Sequence, residues 1–171
     1  MKLIHFIFLL FIFFSVDVFS QSISGIVNAY AEVTSVNVNS VELIDASAFQ
    51  TGDKVLVIQM KGATITTGNV PGFGTITNQN SAGVFEFAIV SGVNNLTVSF
   101  QNNLCQTFDV SGSVQLVRIS VHTDVVISGQ VTAVPWNGST GGVVVIESSN
   151  SITLNADINV ICPIESHSGI S

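Results

Sequence analysis

Ile127-Ser128-Gly129-Gln130-Val131-Thr132-Ala133 returns 27 residues later as Leu154-Asn155-Ala156-Asp157-Ile158-Asn159-Val160. In both stretches an apolar residue precedes a small polar corner, and alternation resumes two residues on. Between them, Gly141-Gly142 opens a run from Val143 to Ser149 that reads as a strand. Short strands, small-residue corners and a period of roughly 20–30 residues describe coils stacked into a parallel β-solenoid. A β-sandwich that happens to alternate is the competing reading, since two coils fall short of the roughly three repeats a solenoid needs.

Upstream of the echo, period-2 alternation continues. Val33–Val38 and Val41–Ile44 alternate, and Thr51-Gly52-Asp53 forms a turn. Lys54-Val55-Leu56-Val57-Ile58-Gln59-Met60 is apolar on both faces, so it belongs in the middle of a sheet. Val84–Val90, a turn over Ser91–Asn95, Leu96–Phe100 and Val114–Ile119 follow. Residues 62–82, rich in Gly, Thr and Asn, read as an extended loop or irregular hairpin. The single helix candidate, Asp45–Phe49, amounts to one turn. The fold class is all-β: a small barrel or sandwich-like module over 21–120, leading into a right-handed parallel β-helix over 121–171.

The first twenty residues have a different character. Lys2 precedes an apolar run, Leu3 to Phe14, broken only by His5, and Val18-Phe19-Ser20 offers a cut before Gln21. A run of twelve residues is short of the roughly 20 a spanning helix needs, so residues 1–20 read as a cleavable signal peptide. An uncleaved anchor is the alternative. Removing Lys2 and Asp17 takes one charge of each sign, so the net charge stays at −7, with Lys54, Lys61 and Arg118 the remaining cations. The expected location is outside the cytoplasm: extracellular or at the cell surface, or periplasmic if not secreted further. Three cations leave no surface for phosphates, so nucleic-acid binding is not expected. No membrane span is expected in the mature chain.

Gly52–Ala63, Ala82–Glu86, Val114–Val117 and Pro135–Val144 together resemble the N-terminal region of large secreted surface proteins of the Bacteroidota. These are often adhesin-like and are exported through the type IX system or linked to gliding motility. The resemblance implies a compact β module leading into a right-handed β-helix, several hundred further residues and a C-terminal sorting domain. Residues 161–171 (ICPIESHSGIS) depart from the glycine-rich, Arg-containing turn the family would place there. The chain is therefore expected to be a truncated gene product or a fragment of a longer protein.

Groups able to do chemistry are few. Cys105 and Cys162 are a candidate disulfide; free thiols, or pairing with a downstream cysteine, are the alternatives. A metal site from Cys105, His122, Cys162 and His167 lacks the spacing of common zinc modules. Asp124 and Asp157 are the carboxylates that coil stacking could bring together for glycan hydrolysis, but Asp157 falls at the corner equivalent to Gln130. Gly72-Phe73-Gly74 lacks the third glycine of a dinucleotide loop, Thr77 standing in its place, and Gly138-Ser139-Thr140-Gly141 is no nucleophile elbow. Asn95-Leu96-Thr97 and Asn137-Gly138-Ser139 have the form of glycosylation sequons. Trp136 and Tyr30, the one Trp and one Tyr, are the aromatics for sugar stacking, although Trp136 fits better as a plug at a coil end or module junction. The expectation is an exported structural or adhesive module without catalytic residues, cofactor or metal, meeting surface glycans or other cell-surface proteins. The alternative is the non-catalytic start of a secreted polysaccharide-degrading β-helix whose active site lies beyond residue 171.

Overall fold

A computed structural model describes residues 20–161. The chain runs through β1 (Gln21–Ile26), β2 (Ala29–Val36), β3 (Ser40–Leu43), β4 (Lys54–Gln59), β5 (Thr64–Ile65) and β6 (Ile76–Asn78). There follow β7 (Phe85–Asn94), β8 (Thr97–Phe100), β9 (Val114–Arg118), β10 (Ser120–Thr132) and β11 (Ile146–Leu154). It is an all-β protein in which a closed barrel leads into a parallel, β-helical stack.

The barrel closes in the order β2-β3-β8-β7-β4-β9, with antiparallel neighbours throughout. Alternation sends Val33, Val41, Leu43, Val55, Val57, Val98 and Leu116 into one buried core. β4 is buried on both faces, as its sequence required. Its inward Val55 and Val57 join that core, while Leu56 packs outward with Val117, Ile119, Val143 and Val145. Gln59 ends the strand fully buried: its amide donates to Lys61 O (2.8 Å) and Asn80 O (3.0 Å), and its carbonyl accepts from Asp109 N (2.8 Å). That satisfied amide anchors the base of the β5–β6 hairpin, which occupies the loop expected over 62–82.

Strand pairing cuts across the boundary drawn at residue 120. β1 lies parallel to β10, and β10 lies parallel to β11, in the order β1-β10-β11. The barrel is thus an insertion between the first two rungs of the stack. The 27-residue echo is the register of that stack: Asp124 opposes Ser151, Ile127 opposes Leu154, and Val131 bridges Ile158. This removes the sandwich alternative for the coil region, because its neighbours run parallel.

Two local expectations are corrected. The strand expected from Gly141 to Ser149 starts only at Ile146 and runs on to Leu154. Val143 and Val145 are drawn onto the outer face of the barrel, where Val143 O accepts from Tyr30 Oη (2.6 Å) and Val145 O from Asn28 Nδ2 (2.7 Å). The turn expected over Ser91–Asn95 shrinks to Asn95-Leu96, with Asn95 at φ 51°, because β7 extends to Asn94 and pairs with Thr97. Asn tolerates that left-handed conformation better than most residues.

Candidate functional site at the open edge of the stack

The inner face of the stack is built from Ile23, Val125, Ile127 and Val131, all buried. One rung further, the same face of β11 and its continuation is exposed: Ile152 by 45%, Leu154 by 63%, Ile158 by 48% and Val160 by 50%. Val125 faces Ile152 and Ile127 faces Leu154, so the exposed side chains repeat the buried ones in register. Ile127, Val144, Ile146, Ile152, Ile158 and Val160 line an apolar cavity of about 370 Å³ there. The outer edge of β11 pairs with no strand among the described residues. An unpaired strand edge beside an apolar face is a template for another strand. Fully covering such side chains contributes roughly 1.5–3 kcal/mol each, less for the half already buried.

The edge is held rigidly to the barrel. Asn28, buried between β1 and β2, donates to Arg118 O (2.9 Å) and Val145 O (2.7 Å) and accepts from Val145 N (2.9 Å). Lys54 Nζ pairs with Glu147 (2.8 Å to Oε1). Gln115, fully buried, bonds Gly141 through both its amide atoms (2.9 and 3.1 Å). Lys61 Nζ reaches Gly138 O at 2.7 Å and sits 5.3 Å from the centre of the Trp136 ring, which places Trp136 at the junction of barrel and stack.

The remaining sequence candidates fall into different places. Cys105 is exposed, its N–H bonded to the Glu86 carboxylate at 2.9 Å. Cys162 and His167 lie outside the described residues, as do residues 1–19, so the candidate disulfide, the four-residue metal set and the signal peptide lie outside them as well. His122 is half-buried with both ring nitrogens engaged, Nδ1 with Gln21 Oε1 (2.8 Å) and Nε2 with Ser120 Oγ (2.7 Å). Asp124 accepts from Asn150 Nδ2 (2.7 Å) and lies opposite Ser151 in the stack. Asp157 belongs to the corner beside Val131, whose N–H it accepts through its backbone oxygen, so the two carboxylates do not align on neighbouring rungs.

Among the described residues, three groups titrate away from their usual range. Burial pushes the Tyr30 hydroxyl up, opposed in part by a hydrogen bond with the Val134 backbone. The Ser47 backbone N–H and then its hydroxyl hold Asp45 down, while the Ser111 hydroxyl and then its N–H do the same for Asp109. The β1 rung carried no advance signal. Its six residues, Gln21-Ser22-Ile23-Ser24-Gly25-Ile26, are too few and too polar to be told from a linker, and their partner lies over a hundred residues away.

No family model matches the chain, and no curated protein matches it. Among solved structures it overlaps three phage tailspikes. For gp49 of Pseudomonas phage LKA1 the TM-score is 0.35 at 12% identity, over 66% of this chain and 20% of the tailspike. For gp61 of Pseudomonas phage phi297 it is 0.39 at 16%, over 61% and 16%. For gp54 of Acinetobacter baumannii bacteriophage AP22, solved with A. baumannii capsular saccharide, it is 0.34 at 14%, over 80% and 26%. The chain spans about a quarter or less of each tailspike, and overlaps this loose establish neither common family nor common activity.

Proposed function

We propose that this chain is a non-enzymatic, exported structural module that starts a longer β-helical scaffold at a cell surface. The barrel fixes the first rungs, and the β11 edge receives the next. One observation carries this reading: Ile152, Leu154 and Ile158 stand exposed in the register of buried Val125, Ile127 and Val131. An apolar face that duplicates a buried one calls for the same cover. The resemblance of residues 52–63, 82–86, 114–117 and 135–144 to Bacteroidota surface proteins supports the finer assignment to type IX or gliding-associated export.

The test is to extend the mature chain after Val160 by one designed coil, with apolar residues in the register of Ile152, Leu154 and Ile158. The unextended chain should bind a hydrophobic dye and self-associate. The extension should suppress both and raise Tm by about 5 °C or more, the shift expected from a few kcal/mol in a domain of this size. A mature chain that is monomeric and dye-silent, and whose Tm the added coil leaves unchanged, would refute the reading.

A further inference from the structure

We propose that a cleft along the seam between barrel and stack binds a pyranose ring of a neutral saccharide. The inference does not rest on the β11 edge, since a chain whose edge proved inert would bind here unchanged. The floor of the cleft is the outward face of β2, with Tyr30 and Glu32. Ile44 and Asp45, just after β3, form one wall, and the turn Asn137–Thr140 forms the other. Its volume is about 370 Å³, within the range of roughly 300–1,000 Å³ usual for small-ligand sites, and it lies between two structural units, where such sites concentrate. The cleft beside Phe87 on the opposite side of the barrel, about 110 Å³, is too small by the same measure.

Both walls are built before any ligand arrives. Asn137 Oδ1 accepts from Ser139 N and Thr140 N, each at 2.9 Å. The two bonds from Gln115 hold Gly141. Its φ of 99°, and a Val134 O only 2.5 Å from where a Cβ would stand, leave room for glycine alone. Tyr30 is fixed through Val143 O, Ile44 N donates to Glu32 O (3.1 Å), and Asp45 Oδ1 accepts from Ser47 N (2.8 Å). Preorganisation of this kind lowers the entropic cost of binding a weak ligand.

The chemistry of the lining selects the ligand. The Glu32 carboxylate and the Ser139 hydroxyl have no hydrogen-bond partner among the described residues, so the cleft offers acceptors in excess of donors. A carboxylate accepts several O–H bonds, and Ser, Thr and Asn serve both ways. Two carboxylates without a lysine or arginine in the lining exclude phosphate, sulfate and uronate groups. No three Asp, Glu, His or Cys side chains converge among the described residues, so a bound cation is not the occupant the cleft suits. Beside these acceptors lies the apolar surface of half-buried Tyr30 and exposed Ile44, while the Ala31 side chain turns inward into the barrel core. A neutral pyranose presents hydroxyl donors around its rim and a C–H face to such a surface; an ammonium would need the carboxylates alone.

The test is a 1H–15N titration of the mature chain with methyl α-glucoside, methyl α-mannoside and methyl β-galactoside in turn, with trilysine as the cationic competitor. At least one glycoside should give saturable shifts confined to residues 30–32, 44–45 and 137–140, with a Kd of about 1–10 mM and little salt dependence. Glu32→Ala should weaken that binding about tenfold, the size of a lost charge-assisted hydrogen bond, while resonances elsewhere stay in place. Ser139→Ala should weaken it about threefold and guards against a misfolded first variant. The proposal is overturned if none of the glycosides gives saturable shifts at about 50 mM, if shifts map elsewhere, if Glu32→Ala binds as before, or if trilysine binds more tightly than all of them.

Discussion

Asn28→Ala should separate the barrel from the stack. Asn28 makes three hydrogen bonds at 2.7–2.9 Å, to Arg118 O at the end of β9 and to both backbone groups of Val145 ahead of β11. It is buried, at 7% exposure, so water cannot replace those partners without opening the seam. Each buried group left unpaired costs about 1–3 kcal/mol, and partial opening to water returns some of that, so the loss should be about 2–4 kcal/mol. Urea denaturation followed by Trp136 fluorescence and by far-UV circular dichroism measures it. Trp136 lies in the seam segment, whereas the dichroism reports all strands. The wild-type transitions should coincide, and in the variant the fluorescence should change at lower urea than the dichroism. Coincident transitions and a loss below about 0.5 kcal/mol, the size of an ordinary surface substitution, would show that the seam is not held by this residue.

Other positions test other parts of the structure. Gly112→Ala would put a Cβ 2.2 Å from Gln59 Nε2 and 2.4 Å from Lys61 O, so it should cost at least about 2 kcal/mol in chemical denaturation and loosen hairpin amides in hydrogen exchange. Ile127→Ala, at a fully buried site, should cost about 2–5 kcal/mol, while Leu154→Ala, one rung on and 63% exposed, should cost less than about 1 kcal/mol. Asp45 and Asp109 have depressed pKa values, so their support for the fold is present above the usual 3.8 and is lost as pH falls through their lowered values. Tyr30, raised above the usual 10.0, supports the fold below that pH and ceases to as pH rises through its folded value. Thermal denaturation from pH 2 to 12 should therefore show an acid shoulder weakened in Asp45→Asn and an alkaline one weakened in Tyr30→Phe.

What was legible in the sequence is what local pattern encodes. Lys54–Gln59 announced a central strand because both of its faces are apolar, and the structure buries both. The 27-residue echo announced a stack because every rung must present the same side chains to the same interior. Gly141–Val145 misled because three valines after a double glycine read as a strand. Their carbonyls instead meet Tyr30 and Asn28, over a hundred residues earlier, and no local pattern reports such partners. The seam cleft was hidden for the same reason. Tyr30, Asp45 and Ser139 are ordinary residues separately and gain chemistry only when Gln115 pins the 137–141 turn beside β2. The stack was legible because repetition encodes it; the cleft was not, because it depends on contacts between distant segments.

The inserted barrel also bears on how the stack forms. Parallel pairing of β1 with β10 brings Ile23 against Ile127, which for an open chain means closing a loop of about a hundred residues. In the barrel, however, the first and last strands of the insertion are neighbours, with Ala29 paired to Arg118. Once the barrel has folded, only the few residues flanking that pair remain to be ordered. By the logarithmic dependence of closure entropy on length, this removes about 2–3 kcal/mol from the cost of forming the first rung. The barrel should therefore fold before the stack. Val57→Ala in the barrel should slow folding with a φ-value of about 0.5 or more, and Ile127→Ala in the stack should chiefly speed unfolding with a φ-value near zero. The reverse assignment in stopped-flow chevrons would mean that the rungs form first and the barrel condenses between them.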